Sequence, residues 1–261
     1  MKALVYTKPD EVVYRDEPEP VPGEGQVLVK VAASGICGSD MHAYHGHDSR
    51  RVPPLILGHE VAGTGASGKR QGERVVINPL MTCGICPHCE SGRTNLCPTR
   101  ELIGMRVAGA YCDYVAISEQ NLIPIPESFD MVKASLAEPA ACALHSLSRA
   151  QMLSPRPLAE LHTLVIGGGA IGMLSALLLS HHGCQHVTVA ETNQLRRETV
   201  ANTVGCAIYD PLGNSEIPAD TFDLVIDAVG GGVTRSMGSL SLIHISEPTR
   251  LLRRSRMPSA A

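Results

Sequence analysis

Between two apolar, strand-like segments the chain places a thiol, a hydroxyl and an imidazole within six residues, at Cys37, Ser39 and His42. An isolated cysteine is most often a small buried hydrophobe, so its meaning depends on what the fold brings beside it. Gly58-His59-Glu60 offers an imidazole and a carboxylate, and Ala137-Glu138-Pro139 offers another carboxylate in an otherwise apolar run. Cysteine, histidine and acid donors from separate positions are what an open, catalytic zinc site requires, because its fourth position must stay free for water or substrate.

A second set of donors is closely spaced. Cys83, Cys86, Cys89 and Cys97 follow C-x2-C-x2-C-x7-C, which puts four thiolates where one tetrahedral zinc ion can collect them. An iron-sulfur cluster begins with a similar run, and plain buried cysteines are the third reading. With all four positions supplied by protein, such a site holds a loop together and leaves no room for substrate. Cys112, Cys142, Cys184 and Cys206 fall outside both sets and read as buried apolar thiols. His45, His47, His88, His145, His181 and His182 read as surface or packing residues.

A third motif is made of glycine. Thr163-Leu164-Val165-Ile166 is a fully apolar strand, Gly167-Gly168-Gly169-Ala170-Ile171-Gly172 is a turn, and Met173 to about His182 is an apolar helix. That order suits a dinucleotide: Gly167 permits the tight turn, Gly169 lets the backbone approach a pyrophosphate, and Gly172 lets helix and strand pack closely. The helix N-terminus, with Ile171 in its first turn, offers unpaired N–H groups to the anion. A strand from His186 to Ala190 ends at Glu191, where a carboxylate accepts from the adenosine ribose and repels a 2'-phosphate, favouring NAD over NADP. Arg196 and Arg197 read as the solvated face of the next helix, and Phe222–Ala228, followed by Val229-Gly230-Gly231, as a further parallel strand with a glycine-rich edge.

The elements that must hold these groups divide the chain. From Met1 to about Ala150 the runs Ala3–Tyr6, Gln26–Ala33 and Arg74–Asn78 are short and β-like, separated by Pro and Gly clusters. Glu138 to Met152 has the composition of a helix, with Pro139 in its first turn, so Glu138 is held at a helix start. With 261 residues, two domains are expected: 1–150, an irregular β domain, and 151–239, a parallel α/β sheet. A hydrophobic content of 44% with 18% charge and no long apolar run excludes a membrane protein. The net charge of −4 gives no case for a nucleic-acid partner, which also argues against a zinc-ribbon binding module. No export signal is visible, and nine cysteines, an odd count in C-x-x-C spacing, suit a reducing compartment, so a cytoplasmic location is expected.

Cys37-Gly38-Ser39-Asp40-x-His42, Gly58-His59-Glu60, the four-cysteine run and the glycine turn, in that order, resemble the zinc-dependent medium-chain alcohol dehydrogenase family over about residues 1–239. The similarity is to its polyol branch, which includes sorbitol, galactitol-phosphate and threonine dehydrogenases. The resemblance implies an α/β protein with a GroES-like catalytic domain and a Rossmann, doubly wound NAD-binding domain that is incomplete here. It implies two zinc ions, one structural in the four-cysteine lobe and one catalytic on Cys37, His59 and an acid. Glu138 stands where other branches carry a third cysteine, and Glu60 replaces it or exchanges with water. Ser39 would receive the alcohol proton and pass it through the ribose to His42, whose imidazole releases it to solvent. Asp40 would either orient that network or cap a helix.

An acidic ligand makes the metal harder and favours oxygen-rich substrates, so the expected substrate is a secondary hydroxyl of a polyol, sugar alcohol or sugar acid, with a threonine-type amino alcohol as the alternative. With Phe 2 and Trp 0 there is no aromatic pocket for bulky alcohols. Two departures stand out. Only Thr64 to Gln71 separates Gly63 from Gly72-Glu73-Arg74-Val75, shorter than the family's hairpin, which puts strand pairing near the zinc in question. Residues 240–261, beginning Leu-Ser-Leu-Ile-His-Ile-Ser-Glu-Pro-Thr-Arg, do not continue the family pattern and look like a translated sequencing adaptor, a non-native tail. The chain as written is therefore expected to expose a sheet edge and to be unstable or inactive, and the family's dimer-forming strand would lie in the part not present, the intact relative being a homo-oligomer.

Overall fold

A computed structural model describes residues 1–213, 221–229 and, for the backbone, 241–246. Two compact units divide it, Met1–Glu138 and Pro139–Ala261.

The first unit is built from short strands: β1 Lys2–Lys8, β2 Glu11–Asp16, β3 Gln26–Gly35, β4 Leu55–Ile56, β5 Glu60–Gly65, β6 Arg74–Ile77, β7 Leu80–Met81, β8 Glu101–Leu102, β9 Tyr114–Ser118 and β10 Leu122–Pro124. Its helices are brief: α1 Gly38–Tyr44, α2 Pro87–Glu90 and α3 Met131–Ala134. A five-stranded antiparallel sheet in the order β10-β6-β5-β3-β9 carries the core, and β2-β1-β4 forms a smaller sheet. Inward β-branched residues explain why these runs are strands: Val27, Val29, Val61, Val75, Ile77, Val115 and Ile117 form one buried cluster, each side chain worth about 1.5–3 kcal/mol of burial.

The shortened hairpin does not disturb the pairing. β5 meets β6 with Ala62 opposite Val76 and Thr64 opposite Arg74. The connection closes through Gly72 N to Gly65 O at 2.8 Å, and a Cβ at Gly65 would stand 1.9 Å from Arg70 O, so the tight return needs a glycine there.

The second unit starts within the first turn of α4, Ala137–Leu153, which is followed by β11 His162–Ile166, α5 Ala170–His181, β12 His186–Ala190, α6 Gln194–Val204, β13 Ala207–Tyr209, β14 Phe222–Asp227 and β15 Ser241–Ser246. Its sheet is parallel throughout, in the order β13-β12-β11-β14-β15, and alternates with helices as a Rossmann sheet does. The division falls at Glu138, not at Ala150, because Leu147 and Ala150 of α4 are buried with Leu164's neighbours Val165, Leu179 and Leu224 in the core of the second unit. The sequence pattern gave Ser241–Ser246 no packed element, yet its backbone pairs with β14, Leu224 opposite Ile243. Gly230 and Gly231 of the expected glycine-rich edge, and residues 240 and 247–261 of the expected tail, lie outside the described residues. Among the described residues no helix is long and apolar enough to cross a membrane.

Candidate metal centres and nucleotide turn

Antiparallel register creates the first centre. β3 ends at Gly35, opposite Glu60 at the start of β5, so Cys37, just past one strand, and His59, just before the other, converge. Two glycines make room. A Cβ at Gly35 would lie 2.0 Å from Glu60 Oε2, and one at Gly58, whose φ is +95°, would lie 2.5 Å from the Tyr111 ring. As a result the donor atoms of Cys37, His59 and Glu60 all fall within 4.8 Å of one another, and His59 and Glu60 are only 3% and 5% exposed. A thiolate, an imidazole and a carboxylate at that spacing match an open zinc site. Glu138 is not in this group, but its charge reaches Glu60. Burial pushes the Glu60 carboxyl up, His59 opposes, and Glu138 and Asp40 add to the rise.

The charges around His59 show what the centre favours. Burial alone would lower its pKa, but Asp40 and Cys37 outweigh burial and push it up to about 10. The pocket therefore draws positive charge to its middle, which suits a divalent cation. His59 Nδ1 and Asp40 Oδ1 face each other at 3.4 Å, longer than a good hydrogen bond, and neither atom hydrogen-bonds to any other of the described residues. Asp40 both caps and orients: its Oδ2 accepts from Cys37 N at 3.2 Å, fixing the start of α1, and from Tyr111 Oη at 2.8 Å.

Ser39 lies beside this cluster, and its Oγ accepts a bond of 3.1 Å from Arg51 Nη2. His42 is exposed on α1, its ring 6.4 Å from that of His47, and no bond joins it to Ser39 among the described residues. Sequence reasoning missed Arg51, whose side chain is wholly buried, and Tyr111.

The second centre is the four-cysteine lobe. Cys83, Cys86, Cys89 and Cys97 also hold their sulfurs within 4.8 Å, with Cys86 and Cys89 3.5 Å apart and Cys97 and Cys83 3.6 Å apart. The Cys83 backbone N–H and the Thr99 hydroxyl bring the Cys97 thiol down to about 6. At Cys86 a favourable bond from the Cys89 backbone is outweighed by burial and by the Cys89 and Cys83 sulfurs, which push it up to about 11. Four thiols this close cannot all ionise without a cation among them, so the donor set fits zinc. α2 starts at Pro87 inside this loop and places Cys89.

In the second unit Gly167, with φ of +101°, turns the chain from β11 toward α5, and a Cβ on Gly172 would meet Gly167 O at 1.8 Å. Gly169 is the residue before α5 and has open space on its Cβ side, and Ile171 is half-buried in the first turn. Gly168, which spacing arguments leave out, is packed against Glu191, and its N–H donates to Glu191 Oε2 at 2.8 Å. Glu191 Oε1 accepts from Asn193 N at 2.8 Å. Burial raises the Glu191 carboxyl, but the N–H groups of Asn193 and Gly168 outweigh it and hold it below the ordinary range. Arg197 is not a solvated residue: its Nη1 donates to the Glu191 and Thr192 carbonyls, and its Nη2 pairs with Asp210 at 3.0 Å. Arg196 is exposed, 3.9 Å from Glu191 Oε2.

An irregular β unit with one mixed and one all-thiol cluster of candidate metal donors, in the same chain as a parallel sheet with a glycine turn, fits the class of two-domain zinc-binding dehydrogenases. Comparison with known proteins agrees. Residues 23–127 match the family described as Alcohol dehydrogenase GroES-like domain. The chain is 33% identical over 238 residues to the L-galactonate-5-dehydrogenase of Escherichia coli K12, covering 89% of this chain and 66% of that protein. It is 30% identical to an L-threonine 3-dehydrogenase of Stenotrophomonas maltophilia K279a, covering 88% and 71%. A crystal structure of a zinc-binding dehydrogenase from Sinorhizobium meliloti 1021 bound to NADP superposes with a TM-score of 0.82 at 30% identity, covering 95% of this chain and 78% of that one. The chain belongs to the zinc-type medium-chain alcohol dehydrogenase family. It spans 56% to 71% of the length of the curated relatives compared.

Proposed function

We propose that the protein is the catalytic and partial nucleotide-binding portion of a zinc-dependent, NAD-linked oxidoreductase that oxidises a secondary hydroxyl of a polyol, sugar alcohol or sugar acid. The observation that carries this reading is the convergence of Cys37, His59 and Glu60 donors within 4.8 Å. Cys37, His59 and Glu60 would hold a catalytic zinc, with Glu138 as an exchanging partner, and Cys83, Cys86, Cys89 and Cys97 a structural one. When bound, zinc supplies a Lewis acid for the substrate hydroxyl, and NAD supplies the hydride acceptor. Asp40 faces His59 Nδ1 and holds its ring. Ser39, its Oγ fixed by Arg51, accepts the hydroxyl proton, and exposed His42 exchanges a proton with solvent. Gly167, Gly169, Ile171 and Gly172 would seat the pyrophosphate, and Glu191, its carboxyl held below the ordinary range, would accept from ribose hydroxyls.

The substrate class rests on the acidic ligand and on the galactonate-type relative; the threonine-type relative supports an amino alcohol as the second reading. The test is reduced-cofactor formation by the chain and by its full-length gene product, with a panel of polyols, sugar acids and threonine, each with NAD and with NADP, alongside bound-zinc measurement. Turnover of a sugar acid or polyol with NAD is expected from the full-length product. Turnover of threonine alone selects the second reading, and the absence of metal at Cys37, His59 and Glu60 rejects both.

A further inference from the structure

Asp40 is the least exposed acid near the mixed centre, at 2%, and a buried carboxylate needs partners. Three are present. Tyr111 Oη donates to Asp40 Oδ2 at 2.8 Å; its other acceptor, Gly35 O, is farther at 3.1 Å and neutral, so the proton favours the charged oxygen. Cys37 N donates to the same Oδ2. On the other oxygen, Arg51 Nη2 stands 3.9 Å from Asp40 Oδ1, the atom that faces His59.

Arg51 is an unusual residue to find here. Its side chain has no solvent exposure, and burying a guanidinium is unfavourable unless the geometry compensates. Compensation comes from all sides: Nε donates to Gly104 O at 2.9 Å, Nη1 to Asp48 Oδ2, and Nη2 to Ser39 Oγ at 3.1 Å. The planar fork thus bonds the hydroxyl two residues past Cys37 and sets its positive charge 3.9 Å from the carboxylate oxygen that faces His59. Tyr111 fixes the same carboxylate from the opposite oxygen while its ring fills the space over Gly58, the residue before His59.

We propose that Arg51 and Tyr111 are positioning residues for metal binding, holding Asp40 so that its Oδ1 keeps the His59 imidazole in its ligand orientation. This rests on the reading of Cys37, His59 and Glu60 as a metal site. Partners of metal-ligating histidines are typically worth about 10- to 100-fold in metal affinity.

The experiment measures Co2+ binding to the chain by chelator competition, following thiolate-to-cobalt absorption, which separates the mixed site from the four-thiolate site. Tyr111→Phe, which deletes one oxygen and no charge, is expected to weaken the mixed site about 10-fold, and Arg51→Lys at least as much, with the four-cysteine site unchanged in both. In an Asp40→Asn background, neither substitution should add more than about twofold, because both act through that carboxylate. Affinity within twofold of the parent for both single variants, or an equal loss in the Asp40→Asn background, overturns the proposal. A parent chain that binds only one cobalt, at the four thiols, overturns the metal-site reading itself, a result distinct from either. Should Arg51→Lys fail to fold, shown by loss of the four-cysteine signal, Tyr111→Phe decides alone.

Discussion

A methyl group at Gly35 would stand 2.0 Å from Glu60 Oε2, closer than any real contact. Gly35→Ala is therefore expected to push the Glu60 carboxylate out of the mixed centre and lower bound zinc from two ions per chain toward one, measured by metal analysis; two full equivalents would show that Glu60 is not a ligand. Glu191 gives a prediction in pH. Its folded-state pKa is depressed below 4.5, so the stabilisation it contributes is fully present above that value and is lost as pH falls through the lower, folded one. Glu191→Gln should flatten the acid limb of the unfolding curve of the second unit, read by circular dichroism melts at stepped pH, and leave the curve above pH 6 parallel to the parent's. The two donor clusters were legible as candidates because few residue types bind zinc, and for the four cysteines because their local spacing is regular. Arg51 and Tyr111 were not, since what makes them matter is long-range geometry: Tyr111 is 71 residues from the Asp40 it bonds. Spacing also left Glu60 and Glu138 unresolved, and only the β3–β5 register brings Glu60 to Cys37 and His59.

At the scale of elements, the four-cysteine lobe has little of its own to hold it. Ile85 is 80% exposed and Leu96 47% exposed, and α2 is only four residues long. Removing zinc should unfold this lobe alone, because structural zinc supplies folding free energy directly. Hydrogen exchange after chelation is expected to show lost protection across about residues 83–97 with β3, β5 and β6 still protected; protection unchanged in the lobe would contradict this. The strands β3, β6, β11 and β12 were readable because β-branched runs with alternating or continuous burial have few other uses. The extent of α4 was readable too, since nothing breaks it after Pro139. What periodicity missed was where α4 belongs: its apolar side enters the second core, so the division falls in the first turn of the helix instead of following it. It also missed β15, where a short alternating run gained its strand only from the open edge of β14.

For the whole molecule, two separate cores predict two separate responses. Calorimetry should resolve two transitions: a chelator lowers the one belonging to Met1–Glu138, and NAD raises the one belonging to Pro139–Ala261, since a ligand stabilises only the unit that binds it. A single transition moved by both reagents would refute that independence. Ending the chain before Ser241 removes the strand that covers β14, and the bared edge should increase concentration-dependent light scattering.

The close sulfurs of the lobe carry a further consequence for handling and for the cell. All nine cysteines are unbridged, and Cys83 is exposed with its sulfur 3.6 Å from that of Cys97. A bound ion would shield those thiolates; without it, an oxidant would meet a ready-made pair of nucleophiles, and the resulting cross-link would prevent the ion from returning. Loss of the ion would thus turn the lobe into a site where peroxide and thiol balance decide whether it can be refilled.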